Sequence, residues 1–111
     1  MKLTEIEKNM INVMVSYRVN PDFVEENKVN IEKFLESFKD LDHKKFTYSV
    51  FLNHDGVSFT HISHYEDKDI QQEVLNTPSF IDFQRKRDES GLDDSHSVQM
   101  LQYIGSTTRI L

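Results

Sequence analysis

The chain has 111 residues, a formal net charge of −6 and no cysteine. The negative charge argues against a DNA or anionic-membrane partner, because both bind through clustered Lys and Arg. The lack of cysteine excludes disulfides, thiolate nucleophiles and Cys-ligated metals. Residues 1–9 have no apolar signal-peptide core, and no segment reaches the ~20 apolar residues of a membrane span, so we expect a soluble cytoplasmic protein.

The hydrophobic pattern changes its period several times along the chain. Residues 10–19 alternate between apolar and polar side chains, which predicts a half-buried strand. Residues 22–39 have one apolar stripe at helical spacing. Residues 46–52 and 57–65 alternate again on either side of the turn residues 53–56, which predicts a β-hairpin.

The second half of the chain continues with helix and strand. Residues 69–89 predict two helical pieces separated at Thr77-Pro78, and residues 98–104 predict a last strand. The basic residues 85–87 lie among acidic ones, and we interpret them as a solvated helix surface.

This order of elements predicts an α+β fold of ferredoxin-like type, βαββαβ. Such a chain forms a four-stranded antiparallel sheet, here in the order 4-1-3-2, with both helices on one face. We place this single domain at residues 10–106, between an N-terminal extension at residues 1–9 and a C-terminal tail at residues 107–111.

Two helices cover only one face of a four-stranded sheet. The other face has an apolar centre with a polar rim, which is either an ordinary solvated surface or a contact between protomers. We expect a homodimer in which two such faces pack together. The predicted contact residues are Met14, Phe51, Ile62, Leu101 and Tyr103.

Several polar side chains are predicted on the helix-facing side of the sheet. Asn27 interrupts the apolar stripe of the first helix, where an unpaired amide costs about 1–3 kcal/mol. Strand alternation directs Tyr17, Tyr48, His61 and Tyr65 toward that helix. We predict His61 and Tyr48 as catalytic residues and Asn27, Tyr17 and Tyr65 as substrate-binding residues. The alternative is a structural cluster that satisfies its own hydrogen bonds.

The sequence indicates no other kind of active site. His61 and His64 are three residues apart on one strand and point to opposite faces, so the histidines do not have the spacing of a metal site. The serines lack the partners of a hydrolase triad, and three glycines do not form a phosphate-binding loop. We therefore predict no metal and no cofactor.

Five short segments within residues 10–106 match the pattern of a known group of proteins. They are Tyr17-Arg18-Val19, Glu26-Asn27, residues 55–61, Phe80 with Phe83, and Ile104-Gly105-Ser106. On these segments the chain resembles the dimeric α/β-barrel superfamily, and within it the antibiotic-biosynthesis-monooxygenase-like proteins of a small bacterial branch. The resemblance implies a homodimer whose sheets close a barrel, with a pocket between helices and sheet in each protomer.

The superfamily includes cofactor-free oxygenases, haem-degrading oxygenases, lactone isomerases and aldoxime-type lyases. The haem-degrading members use a Trp, which this chain lacks. Two hypotheses follow from the resemblance. The chain is a cofactor-independent oxygenase or isomerase of a small aromatic or enolisable metabolite, with Tyr48, His61 and Asn27 stabilising its anion. Alternatively, it is a non-catalytic dimeric module that binds a ligand or serves a stress response.

Overall fold

In the computed structural model, which describes residues 2–111, the strands and helices follow the predicted order. The sheet is antiparallel throughout and has the order β2-β3-β1-β4. The predicted α+β, ferredoxin-like architecture is therefore confirmed. The strands are β1 (Ile11–Arg18), β2 (Phe46–Leu52), β3 (Ser58–Tyr65) and β4 (Ser97–Leu101), and the helices are α1 (Glu5–Asn9), α2 (Val24–Phe38), α3 (Lys68–Leu75) and α4 (Pro78–Glu89).

Two ends of the domain differ from the prediction. β4 ends at Leu101 rather than at residue 104, and Tyr103 lies beyond it with its hydroxyl 2.6 Å from Oγ of Ser106. Residues 5–9 form a short helix, because Thr4 and Glu7 make a reciprocal capping box. The chain leaves the sheet after β4 because its last residues pack beside this helix, around a cavity of about 80 Å³.

The β2–β3 hairpin has the turn that its sequence predicts. Gly56 has φ of +78°, a backbone conformation that glycine adopts without strain. The Asp55 carboxylate accepts hydrogen bonds from the backbone N–H groups of Val57 and Ser58. These contacts set the register in which Leu52 pairs with Phe59.

The core lies between the sheet and helices α2 and α4. Phe34 of α2 is fully buried, and its ring contacts aromatic side chains from the sheet and from α4. Edge-on aromatic pairs of this kind stabilise a core beyond the apolar area that they bury. The same packing positions the polar groups described below.

Within residues 2–111, helices α2, α3 and α4 all pack on the core side of the sheet and leave its opposite face uncovered by them. Phe51 is 54% exposed there and Leu101 is also exposed, whereas Met14 and Ile62 are half-buried. Asn12 is buried on this face because it donates to the Leu101 carbonyl. Within residues 2–111, no helix is long and apolar enough to cross a membrane.

Candidate functional site

A chain of hydrogen bonds connects α2 to the edge of the sheet through the core. Asn27 Nδ2 donates to the Tyr17 hydroxyl at 3.0 Å, and that hydroxyl lies 2.8 Å from His61 Nε2. His61 Nδ1 lies 2.8 Å from the Tyr48 hydroxyl. We call this series, Asn27–Tyr17–His61–Tyr48, the polar relay. It contains four of the five side chains that the sequence predicted as site residues.

The direction of the protons in the relay follows from counting donors and acceptors. A neutral imidazole has one donor and one acceptor nitrogen. If Tyr17 accepts from Asn27, its own O–H donates to His61 Nε2, and Nδ1–H then donates to the Tyr48 oxygen. The opposite direction is costly in both of its forms. A reversed Asn27 amide would bury an NH₂ group with both protons unpaired, and a Tyr17 hydroxyl that accepted from both Asn27 and His61 would bury its own proton unpaired. The favoured direction leaves the Tyr48 O–H as a donor without an acceptor among residues 2–111.

A cavity of about 250 Å³ lies beside the end of the relay, between the sheet and helices α3 and α4. Its open side is β4, where Val98 and Met100 face the helices but remain exposed because neither helix reaches over them. The cavity walls combine aromatic and aliphatic groups with a few polar ones, as is typical of small-molecule sites. The lining residues are Val13, Val15, Tyr48, His61, Ser63, Tyr65, Gln71, Leu75, Phe80, Gln84, Arg87, His96, Val98 and Met100.

The predicted site residues divide into two groups around this cavity. Tyr48, His61 and Tyr65 line it, so a ligand would touch them directly. Tyr17 and Asn27 are buried behind His61 and do not line the cavity. Asn27 has an exposed fraction of 0%, and its Oδ1 atom has no hydrogen-bond partner among residues 2–111. A ligand in this cavity would therefore not touch Asn27 or Tyr17, unlike the substrate contact that the sequence predicted for them.

Burial keeps the relay uncharged. Burial first, and the positive charge of Arg87 second, lower the pKa of His61 to about 3. Burial also raises the pKa of Tyr48 well above its ordinary value, and it raises the pKa of Tyr17. Burial raises the pKa of Tyr65 to about 12. His61 is accordingly a neutral hydrogen-bonding group near pH 7 and a weak base, and the tyrosines keep their protons.

Arg87 is the residue of this site that the sequence prediction missed. The prediction of a solvated surface for residues 85–87 is wrong at Arg87, whose side chain is buried and lies over the rings of Tyr17 and Phe83. Helical spacing carries the missing signal, because Phe80, Phe83 and Arg87 are three and four residues apart and share one face. Arg85 remains exposed and pairs with Asp82 and Glu89.

The histidines do not converge with acidic groups. Within the described residues, no three His, Asp or Glu side chains lie together in a way that could hold a metal ion. His64 is on the other face of the sheet from His61, as strand alternation predicts, and its Nδ1 lies 2.7 Å from Oδ1 of Asn12.

The fold that carries this site has relatives among solved structures. No protein-family model and no curated protein matches the chain. The Mycobacterium tuberculosis protein Rv0793 superposes with a TM-score of 0.75, covering 90% of this chain and 100% of its own, at 14% identity. A Nitrosomonas europaea protein provisionally named an antibiotic biosynthesis monooxygenase gives a TM-score of 0.74, covering 97% and 100%, at 12% identity. A Caulobacter crescentus protein with the same provisional name superposes with a TM-score of 0.74 at 13% identity. The match covers 88% of this chain and 92% of that protein.

These similarities confirm the predicted resemblance at the level of the fold. The chain has the ferredoxin-like fold of the antibiotic-biosynthesis-monooxygenase-like proteins. At such identities the fold is shared and the reaction is not defined, since one fold supports many activities.

Proposed function

We propose that the chain is a cofactor-independent enzyme that binds a small aromatic or enolisable metabolite in the cavity and stabilises its phenolate or enolate. The observation that carries this proposal is the position of Tyr48, which lines the cavity and has its hydroxyl oxygen 2.8 Å from Nδ1 of His61. In the favoured direction of the relay, this hydroxyl keeps its own proton free for a ligand. A fixed donor of this kind favours a ligand oxygen that gains negative charge during a reaction.

The relay assigns a separate task to each residue. Tyr48 donates to the ligand oxygen, and His61 holds Tyr48 in position through Nδ1–H. Tyr17 and Asn27 keep the His61 proton on Nδ1, so they act through His61 rather than on the ligand. Tyr65 and Ser63 form part of the cavity wall. The low pKa of His61 favours this orienting role over proton abstraction.

The stabilised anion leads to one of two reactions. In an isomerase, a proton leaves one carbon of the substrate to water and returns from water to another carbon, so no co-reactant is consumed. In an oxygenase, the phenolate reacts with O₂ as a second substrate. One oxygen atom stays on the ring to give a quinone, the other leaves as water, and the substrate supplies the electrons and both protons of that water through its O–H and C–H bonds. Both reactions use the same hydrogen bond from Tyr48 to the substrate oxygen.

The proposal is tested with 4-nitrophenol, whose anion has a distinct absorption band, at a pH where the free phenol is mostly neutral. We expect the wild-type protein to increase the anion band and Tyr48→Phe to abolish the increase. Tyr103→Phe removes a hydroxyl outside the cavity and serves as the matched control. Oxygen uptake with a panel of quinols tests the oxygenase reaction, and loss of one oxyanion donor lowers such rates by about 100-fold. An unchanged spectrum with the wild-type protein, or equal spectra for wild type and Tyr48→Phe, would contradict the proposal.

The second candidate is a non-catalytic module that binds the same class of ligand. One observation favours it: the described cavity lining contains no carboxylate, and burial makes His61 a weak base. Such a site binds an anion without moving protons. Measurement of product formation separates the two candidates. The enzyme would form product continuously, whereas the binding module would give only a spectral change in proportion to the bound ligand.

The proposal includes a homodimer. It is supported by the sheet face without helices, on which Phe51 and Leu101 are exposed next to the half-buried Met14 and Ile62. Tyr103, which the sequence also assigned to this contact, lies just past the end of β4. A second copy covering this face would remove the exposed apolar centre from water.

A further inference from the structure

The side chain of Arg87 is buried to an extent that is rare for an arginine. Its exposed fraction is 7%, and its guanidinium carbon lies 5.3 Å from the Tyr17 ring centre and 5.4 Å from that of Phe83. Arginine is mostly an exposed residue, and a buried cation needs a compensating partner. The two aromatic faces provide part of that compensation.

The hydrogen bonds of Arg87 use only one side of its guanidinium. Nε donates to Oδ1 of Asp88 at 2.9 Å, and the Asp88 side chain is 61% exposed. Neither terminal nitrogen, Nη1 or Nη2, has an acceptor among residues 2–111. These atoms are not sealed in the core either, because the buried unpaired side-chain atoms are Asn27 Oδ1 and Asn30 Nδ2. The terminal nitrogens therefore keep some exposed surface, and Arg87 is one of the residues that line the cavity.

We propose that Arg87 binds a carboxylate of the ligand, so that the ligand of the cavity is a small organic acid. The two terminal nitrogens of a guanidinium match the two oxygens of a carboxylate in a bidentate pair. The cavity lining contains no Asp or Glu that would occupy this position. This inference rests on the proposed function for the location of the ligand, and it adds the charged group by which the ligand is held.

The other residues that line the cavity indicate which further groups this acid carries. Tyr48 and Phe80 offer aromatic faces, and Val98 and Met100 offer aliphatic contacts at the open side. The Tyr48 O–H binds an oxygen separate from the carboxylate. The ligand class is accordingly a hydroxy- or keto-substituted carboxylic acid with an aromatic or apolar body.

The experiment compares benzoate with benzamide, which has the same shape and no charge. We expect titration calorimetry to show binding of benzoate to the wild-type protein and binding of benzamide at least about 30-fold weaker, the effect of losing one partner of a buried charge pair. Arg87→Gln is expected to weaken benzoate binding by a similar factor. Arg85→Gln makes the same charge change at an exposed position of the same helix and should leave the affinity unchanged.

A second Arg87 variant and an NMR measurement on the wild-type protein keep the inference testable if Arg87→Gln does not fold. Arg87→Lys keeps the charge without the bidentate geometry and should bind benzoate with intermediate affinity. In the wild-type protein, benzoate should shift the Nε–H resonance of Arg87 in NMR spectra. Equal affinities for benzoate and benzamide, no benzoate binding at millimolar concentration, or unchanged affinity in both Arg87 variants would overturn the inference.

Failure of this inference is distinguishable from failure of the proposed function. Benzoate has no phenolic or enolisable oxygen, so its binding does not require stabilisation of an anion by Tyr48. If benzoate binds but 4-nitrophenol shows no spectral change, the acid-binding site at Arg87 is supported and the proposed anion-stabilising function is contradicted. If 4-nitrophenol shows the spectral change but benzoate does not bind, the role of Tyr48 is supported and the role of Arg87 is contradicted.

Discussion

The hydroxyl of Tyr17 lies 2.8 Å from Nε2 of His61, and of these two residues only His61 lines the cavity. Because this contact takes up one ring nitrogen, His61 meets Tyr48 only through Nδ1. The buried contact thereby determines whether Tyr48 offers a ligand a proton or a lone pair. The relay as we assign it offers a proton.

The tautomer of His61 is the first prediction. Nitrogen-15 NMR of the imidazole at pH 7 should find the proton on Nδ1 and a bare Nε2, since Tyr17 donates to Nε2 in the favoured direction. Tyr17→Phe removes that donor and should allow the proton to populate Nε2. A proton on Nε2 in the wild-type protein would mean that the Tyr48 O–H donates to Nδ1 and that Tyr48 offers a ligand only lone pairs. The proposed anion site would then have to be abandoned.

Tyr17 should contribute more to stability than Asn27. Tyr17→Phe leaves Asn27 Nδ2 and His61 Nε2 without partners, which should lower the free energy of unfolding by about 3 kcal/mol. Asn27→Leu removes a buried amide whose Oδ1 is already unpaired, and Tyr17 keeps its bond to His61, so we expect a change within about 1 kcal/mol.

Urea unfolding of the two variants and of the double variant measures this difference. The double variant should lose less than the sum of the single effects, because Asn27→Leu removes one of the groups that Tyr17→Phe leaves unpaired. Equal losses for the two single variants would show that the amide matters as much as the phenol.

His61 should make the protein less stable at acidic pH. Its pKa is about 3 in the folded protein against 6.5 as the ordinary value, so only the unfolded chain binds the proton between these limits. The contribution is complete above pH 6.5 and is lost as the pH falls toward 3. It amounts to about 1.4 kcal/mol per pH unit, or roughly 2–3 kcal/mol between pH 7.5 and 4.5.

The measurement compares urea unfolding of wild type and variants at these two pH values. His61→Phe removes the titrating group, and His61→Gln also removes it while keeping a side chain that can donate and accept. Both variants should lose the roughly 2–3 kcal/mol that His61 contributes to the pH dependence of the wild type. His54→Gln, in the exposed hairpin turn, is the matched control and should keep the wild-type dependence. An identical dependence in all four proteins would show that His61 is not buried as a neutral group.

The sheet face without helices should hold two copies together. Light scattering should give a native mass of about twice the 13.1 kDa of the chain. Phe51→Asp places a charge at the centre of the predicted contact and should give a monomer or an aggregate.

Ile81→Asp is the matched control for the dimer, because Ile81 is 51% exposed, close to the 54% of Phe51, but lies on α4. It should leave the mass unchanged. If the wild-type protein is a monomer at micromolar concentration, the proposed homodimer is wrong.

The sequence was sufficient for the fold because local patterns carry the needed information. Strand alternation and helical spacing are patterns among residues that are close in the chain. A glycine in a turn is likewise a local signal, because glycine adopts positive φ without strain. The same patterns predicted that Asn27, Tyr17, Tyr48 and His61 would face one another. They did not predict the end of β4, since the chain leaves the sheet there to pack beside α1, which is distant in sequence.

Arg87 shows why part of the site could not be read from nearby residues. Its charged neighbours in the sequence, Arg85 and Lys86, indicate a solvated surface, and for Arg85 that prediction holds. Whether Arg87 turns inward depends on the Tyr17 and Phe83 rings that cover it. Tyr17 is on β1, seventy residues earlier in the chain, and no local pattern connects the two.

The sequence by itself determined the order of the elements, the antiparallel sheet and the side of the sheet on which the polar residues lie. Only the tertiary structure decided that Tyr17 and His61 are hydrogen-bonded across 44 positions of sequence, and that the cavity reaches His61 but not Asn27. The reason is physical. Periodicity defines directions, whereas hydrogen bonds and cavities depend on distances of a few tenths of an ångström, which are set only when separate elements pack together.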